Sequence, residues 1–389
     1  MNRADRWKAF FLLFITMFLL GGIQNTKGLI LEHVQRDIAL TLGQIGTLVA
    51  IFQVGFLAAS LVTGYFTDKK GLKVTMMVGS LLMAAGLVGT SLAFGASSFL
   101  GFYLVIGLGI GAMLVSIVTI IPAFYKARAG MMFNVSNAMF GVGMIVMPLV
   151  LQALFSRQIS WRVFYVGLAV VVAAIIAVLS ALSLDRAKGA DITVRDLVGV
   201  VTHRDLLIVI LFLLFYVAAE AAFLNFFPIF YGSLDIAGAS IDEKSATAAY
   251  VISSFAFLFT IGRFIGGLIT VRLGERTTLV AFSFFSLAAV IAGRLLVTEA
   301  VYTFMVFGFA LSVLFPTASA VASKLTDRTG SVMGLIYVAS GLGGALAGSV
   351  VGQVSDTYGV SIGFDVIIAF VAIVAALSLI VGREAARTR

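Results

Sequence analysis

Glu220 is the only acid in a long apolar run, flanked by Ala218, Ala219, Ala221 and Ala222. None of these alanines can form a side-chain hydrogen bond, so any partner must come from another segment. An ionisable group inside such a run is costly and marks a functional position by default. Burial and a neighbouring cation pull a carboxyl pKa in opposite directions. A carboxyl that alternates between those environments can carry a proton or accept bonds from ligand hydroxyls. Lys27, preceded by Gln24, Asn25 and Thr26, is a cation in another apolar run. It can pair with an acid, bind an anionic ligand, or snorkel to an interface. Asn137 and Asn225 offer amide donors and acceptors suited to a polar ligand. Asn134, near the start of its segment, reads as helix glue. Tyr337, with Phe215, Tyr216, Phe223, Phe226 and Phe227, can stack a ring or pack. Glu220, Lys27, Gln24, Asn25, Asn137, Asn225 and Tyr337 are therefore the candidate substrate-binding residues, with Glu220 also the candidate for proton coupling. No metal-ligand cluster, phosphate-cradling loop or catalytic constellation is legible. No metal, no cofactor and no enzymatic activity are expected. His33 and His203 read as loop residues.

The elements that must position these residues are membrane spans. Of the 389 residues, 61% are hydrophobic and 11% charged, with a mean hydropathy of +1.12. Soluble domains carry roughly 25% charged residues, so the chain reads as an all-α polytopic membrane protein. With about 20 apolar residues per crossing, twelve spans are predicted: 9–31, 43–66, 74–95, 99–124, 131–155, 162–183, 206–231, 246–270, 277–297, 301–322, 331–354 and 361–382. Met1 to Leu20 has the basic-then-apolar look of a signal peptide, but Gly21 to Asn25 offers no small-residue cleavage site. Nineteen of the 26 lysines and arginines fall on the side that holds both termini, so that side is expected to be cytoplasmic. The net charge of +8 is explained by these loops, and nucleic-acid binding is not expected. The absence of cysteine excludes disulfides.

Gly64-Tyr65-Phe66-Thr67-Asp68-Lys69-Lys70-Gly71-Leu72-Lys73 joins spans 2 and 3 as a tight basic turn. A second copy lies 203 residues on, at Gly267, Arg272, Gly274 and Arg276, with Val271 in place of Asp68. Trp161 to Phe164 matches Ser361 to Phe364 more loosely. The chain thus reads as two related halves: a six-helix bundle over 1–184, a cytoplasmic linker over 185–205 and a second bundle over 206–389. In the linker, Ile192, Leu197, Val198 and Val201 can form one face of a surface helix. Gly107 with Gly111, and Gly344, Gly348 and Gly352, are expected to form close-packed seams. Asp68, Lys126, Arg128 and Arg263 are candidate gate residues. Asp68 can pair with Lys126 or Arg128 and accept bonds from the chain near Ser331.

This loop motif, its second copy and the 6+6 plan resemble the major facilitator superfamily. Within it the chain is similar to the fucose permease group of sugar porters. The matching stretches are Leu40 to Gly46, Tyr216 to Glu220, Ile261 to Gly266, Pro316-Thr317 and Val354 to Asp356. The resemblance implies a central site between two bundles, with spans 1 and 7 facing each other, so that Lys27 and Glu220 could pair. It also implies alternating access, a monomer in membrane lipid, and a bacterial cytoplasmic (inner) membrane location. Two acids of the fucose permease fall here at Gly28 and about Ala112, and a glutamine of its span 7 falls at Glu220. Neither substrate nor coupling ion therefore transfers with the fold. The expected function is transport of a sugar or similar small polar metabolite, by proton symport or facilitated passage. The alternatives are an exporter of drugs or organic anions, for which Gly141, Gly143 and Pro148 are only a loose signature, and a lipid flippase. A non-transporting receptor would need a sizeable soluble domain, which these residues do not supply.

Overall fold

The computed structural model describes residues 3–38, 42–182, 204–236, 238–326 and 328–387. The linker residues Ile192, Leu197, Val198, Val201 and His203 lie outside the described residues, as do the side chains of Asn25, Lys27 and Lys126.

Regular structure among the described residues is helical, because lipid offers the backbone no hydrogen bonds and a helix satisfies its own. The helices are α1 (Arg3–Ile38), α2 (Leu42–Lys70), α3 (Leu72–Ser91), α4 (Ala96–Val118), α5 (Ala129–Phe155), α6 (Trp161–Ser180), α7 (Arg204–Ser233), α8 (Ile241–Leu273), α9 (Glu275–Leu295), α10 (Phe304–Ser312 and Leu314–Ala322), α11 (Thr329–Tyr358) and α12 (Val360–Arg387). Eleven helical stretches among the described residues are long and apolar enough to cross a membrane. The 29-residue α2 fills the place of the second predicted span.

Two local features repeat between the halves of the sequence. The α2–α3 turn passes through Gly71 at φ 88, and the α8–α9 turn through Gly274 at φ 78. Both are left-handed conformations that glycine adopts without a Cβ clash. Helix α4 breaks at Thr119 and resumes over Ile120–Phe124, and α10 breaks at Val313. Each break lies three residues before a proline, Pro122 and Pro316, which withholds a donor from the carbonyl four residues back.

The chain forms two compact units. One comprises residues 1–126, 136–198 and 328–337. The other comprises 127–135, 199–327 and 338–389. Within the first, α4 is the core: its span is 83% buried, against 28% for α5. Gly107 and Gly111 form the expected seam, pressed on the carbonyls of Phe52 and Phe56 of α2. Trp161 Nε1 and Arg162 reach Asp37 at the end of α1, and Arg162 also donates to Ala93 O at 2.9 Å. The Arg162 guanidinium holds the Asp37 carboxyl below the usual carboxylate range. His33 lies inside α1, stacked on Phe155, because the helix continues beyond its apolar span. It is not in a loop as expected.

Within the second unit α10 is the core, again 83% buried. Arg294 of α9 binds Asp365 at 2.6 Å and Ser361 at 2.7 Å on α12, and lies over the Phe230 ring. The seam expected at Gly344, Gly348 and Gly352 does not form, since a Cβ at any of them meets nothing within 4 Å. The closely packed glycine is Gly343, against Leu214 O of α7.

Candidate functional site

Two clusters stand out, one in the membrane part of the second unit and one at the basic-turn end of the first. Tyr216 and Glu220 are four residues apart on α7 and so share a face. Phe259 and Arg263 repeat that spacing on α8, and the Arg263 guanidinium lies 4.3 Å from the Phe259 ring centroid. Arg263 is only 7% exposed, while Tyr216 is fully buried and Glu220 half-buried. Glu220, Tyr216 and Arg263 lie within electrostatic reach of one another. The Tyr216 hydroxyl has no hydrogen-bond partner of ordinary geometry among the described residues. Its ring packs on Phe315 of α10 at 5.9 Å. An acid, a cation and a hydroxyl are thus brought together in a setting where each is costly to isolate.

Arg263 was expected at the gate with Asp68. It lies about three helical turns before the α8–α9 turn, within electrostatic reach of Glu220. The phenol of Tyr216 was read as a stacking ring only. The signal available in sequence was the pair of i, i+4 spacings, Tyr216–Glu220 and Phe259–Arg263.

Asn225 is exposed and donates to Ala221 O on its own helix at 2.8 Å. Asn137 is 7% exposed, and Gln24 half-buried on α1. Tyr337 is 8% exposed with its ring edge-on to Phe56. Asn134 is fully buried and donates to Gly130 O at 2.9 Å and to Thr317 Oγ1 of α10 at 3.3 Å, tying α5 to α10.

The second cluster is built on Asp68. Its Oδ1 accepts from Gly330 N at 2.8 Å, and its Oδ2 from Ser331 N at 2.7 Å and Ser331 Oγ at 2.5 Å. The carboxylate thus caps α11, where free N–H groups and the helix dipole favour a negative charge. Gly64 and Gly330 let the backbones meet: a Cβ on Gly64 would lie 2.7 Å from Gly330 O. Among the described residues, Arg328 is a cation near Asp68, and Arg128 is exposed on the short turn before α5. Lys73, read as a loop charge, closes the end of α6 by donating to Ser180 O at 3.0 Å and Leu182 O at 2.8 Å.

Helices of membrane-crossing length, a duplicated Gly-turn and ionisable groups at depth define an integral membrane protein. Residues 12–348 match the family model of the Major Facilitator Superfamily, and the chain belongs to that superfamily. The fold is that of the E. coli fucose:proton symporter FucP, with a TM-score of 0.81 at 18% identity over 95% of this chain and 97% of that one. The proton:xylose symporter XylE bound to 6-bromo-6-deoxy-D-glucose superposes with a TM-score of 0.73 at 12% identity, covering 97% of this chain and 95% of that one. Among curated proteins, the riboflavin transporter MCH5 of Saccharomyces cerevisiae is 27% identical over 155 residues, 39% of this chain and 30% of that protein. The oxalate:formate antiporter of Oxalobacter formigenes is 22% identical over 165 residues, 42% of this chain and 40% of that protein. The chain therefore covers less than half the length of either relative.

Proposed function

We propose that this protein is a secondary transporter of a small organic anion carrying a carboxylate, moved by alternating access together with a proton carried on Glu220. One observation carries the anion reading. Spans 1, 7 and 8 hold two cations, Lys27 and Arg263, against one acid, Glu220. Among the described residues, Arg294 near the end of α9 is paired with Asp365. With Glu220 protonated, Arg263 offers an anionic substrate a countercharge that a neutral substrate does not use. When Glu220 takes a proton, Arg263 becomes available to a substrate carboxylate. When Glu220 loses it, the two recombine and the substrate is released. The similarity to an antiporter whose named ions, oxalate and formate, are both carboxylates supports the reading.

A second reading, a neutral sugar in symport with a proton, is favoured by the superposition on two sugar:proton symporters. In either case Gln24, Asn25, Lys27, Asn137, Glu220, Asn225 and Tyr337 are the proposed substrate-binding residues. Asp68 would latch the start of α11 on the cytoplasmic side, with Lys126 and Arg128 at the start of α5. In this proposal residues 1–184 and 206–389 are two six-helix bundles joined by 185–205. The chain acts as a monomer in the bacterial inner membrane with both termini in the cytoplasm.

A thermal-shift screen of purified protein tests the substrate class, since a ligand stabilises the state it binds. Small mono- and dicarboxylates should raise Tm and be taken up by proteoliposomes under an inward proton gradient. Stabilisation and uptake of neutral sugars alone would overturn the anion reading in favour of the second.

A further inference from the structure

The basic turn is duplicated, yet Val271 occupies the place of Asp68 in its second copy and is 59% exposed. Nothing at that position can receive the start of a facing helix as Asp68 receives α11. The surroundings are nevertheless reproduced. In the first copy, Gly330 at the start of α11 lies against Thr67, 2.8 Å from where its Cβ would stand, with Asp68 Oδ1 at 2.9 Å. In the second, Gly130 at the start of α5 lies against Thr270 Cγ2, also at 2.8 Å, with Glu275 Oε1 at 3.3 Å. Thr67 and Thr270 are related by the same 203-residue offset as the turn itself.

Glu275 opens α9, just past Gly274, so its carboxylate comes from the far side of the turn. It is 14% exposed and paired with Lys324, beyond the end of α10, at 2.6 Å. From these contacts we infer that Glu275, steadied by Lys324, is the gating residue of the second turn and replaces there the acid that Val271 lacks.

The two acids hold their helices differently. Asp68 takes three hydrogen bonds from α11, one of them from the Ser331 hydroxyl. The residue in the corresponding place on α5 is Met131, which has no hydroxyl to give. The glycine contacts differ as well. A Cβ on Gly64 would stand 2.7 Å from Gly330 O, whereas one on Gly267 would stand 3.4 Å from Met131, in ordinary contact. The α5 seam is thus the looser one, and a carboxylate shared with Lys324 attracts it through charge rather than through a set of bonds. This holds whichever substrate is carried.

The chain has no cysteine, so a single reporter suffices. Val135 of α5 packs over Gly267, its Cγ2 3.5 Å from the place of a Cβ there. The rate at which N-ethylmaleimide alkylates a Val135→Cys protein therefore reads the separation of α5 from α8. Adding Glu275→Gln should speed alkylation by about two- to fivefold, the usual worth of a charge at a helix start. The double exchange Glu275→Lys with Lys324→Glu keeps the ion pair but puts a cation at α5, so alkylation should stay fast. Where Glu275→Gln does not fold, Glu275→Asp draws the charge back by one methylene and should also speed the reaction. An unchanged rate in the folded single variant would overturn the inference. So would a slow rate in the double exchange, which would make Glu275 only a partner of Lys324.

Discussion

Tyr216, Glu220 and Arg263 each cost stability where they sit, and each cost predicts a different outcome. The Tyr216 hydroxyl is buried beside Glu220 and Arg263 with no hydrogen bond of ordinary geometry among the described residues, and a buried polar group left poorly satisfied costs about 1–3 kcal/mol. Tyr216→Phe should therefore raise Tm by a few degrees in detergent. If the hydroxyl serves the carboxyl exchange, the same variant should transport more slowly. A variant that is both more stable and fully active would make Tyr216 a packing residue. Glu220→Gln keeps the shape and most of the hydrogen-bonding capacity but cannot release a proton. It should abolish concentrative uptake under an imposed pH gradient while leaving equilibrium exchange, and unchanged accumulation would remove Glu220 from the coupling. Because that change leaves Arg263 without its acid, Arg263→Met added to Glu220→Gln should recover part of the lost stability. Glu220 was legible in sequence because an acid among alanines has few structural explanations. Its neighbour was not, since 43 residues separate Glu220 from Arg263 and only the packing of α7 against α8 joins them.

At the scale of elements, the seam of α2 with α11 rests on absent side chains as much as on Asp68. A Cβ on Gly64 would stand 2.7 Å from Gly330 O, and one on Gly334 2.6 Å from Ser60 O. Both distances are well inside contact, and the obstacle is backbone, which cannot turn aside. Gly64→Ala should therefore force α11 off α2, lowering Tm or favouring the state in which the two have parted. Gly348→Ala, facing open space, should be neutral or slightly stabilising, since alanine is the better helix former. Cysteine accessibility near Ser331 and thermal melts separate the two outcomes. Equal effects would refute the seam assignment. Small residues four apart mark where a helix can be approached, which is why Gly107 with Gly111 and Gly344 with Gly348 read alike in sequence. The pattern is silent on whether a neighbour arrives, and in the second case none does. The proline breaks at Thr119 and Val313 were legible in principle, because the donor missing at Pro122 and Pro316 is a local property of the chain.

For the whole molecule, the duplicated turn was the most informative sequence feature, because glycine at a positive φ is fixed by backbone geometry rather than by packing. The two turns share that geometry at Gly71 and Gly274, 203 residues apart. Orientation rests on a different physical quantity, the distribution of lysine and arginine between alternate loops. The structure supplies positions at which that distribution can be tested cleanly. Ser97, at the start of α4, and Lys70, at the end of α2, are both exposed and lie at opposite ends of the α3 crossing. Burial therefore cannot account for a failure to react at either. With no cysteine in the chain, Ser97→Cys in whole cells should be modified by a membrane-impermeant maleimide. Lys70→Cys should be modified only after the membrane is opened or in inverted vesicles. Lys70 is one charge among nineteen on its side, so its loss leaves the bias intact. The reverse pattern would place the basic turns outside, and with them Asp68, Glu275 and both termini.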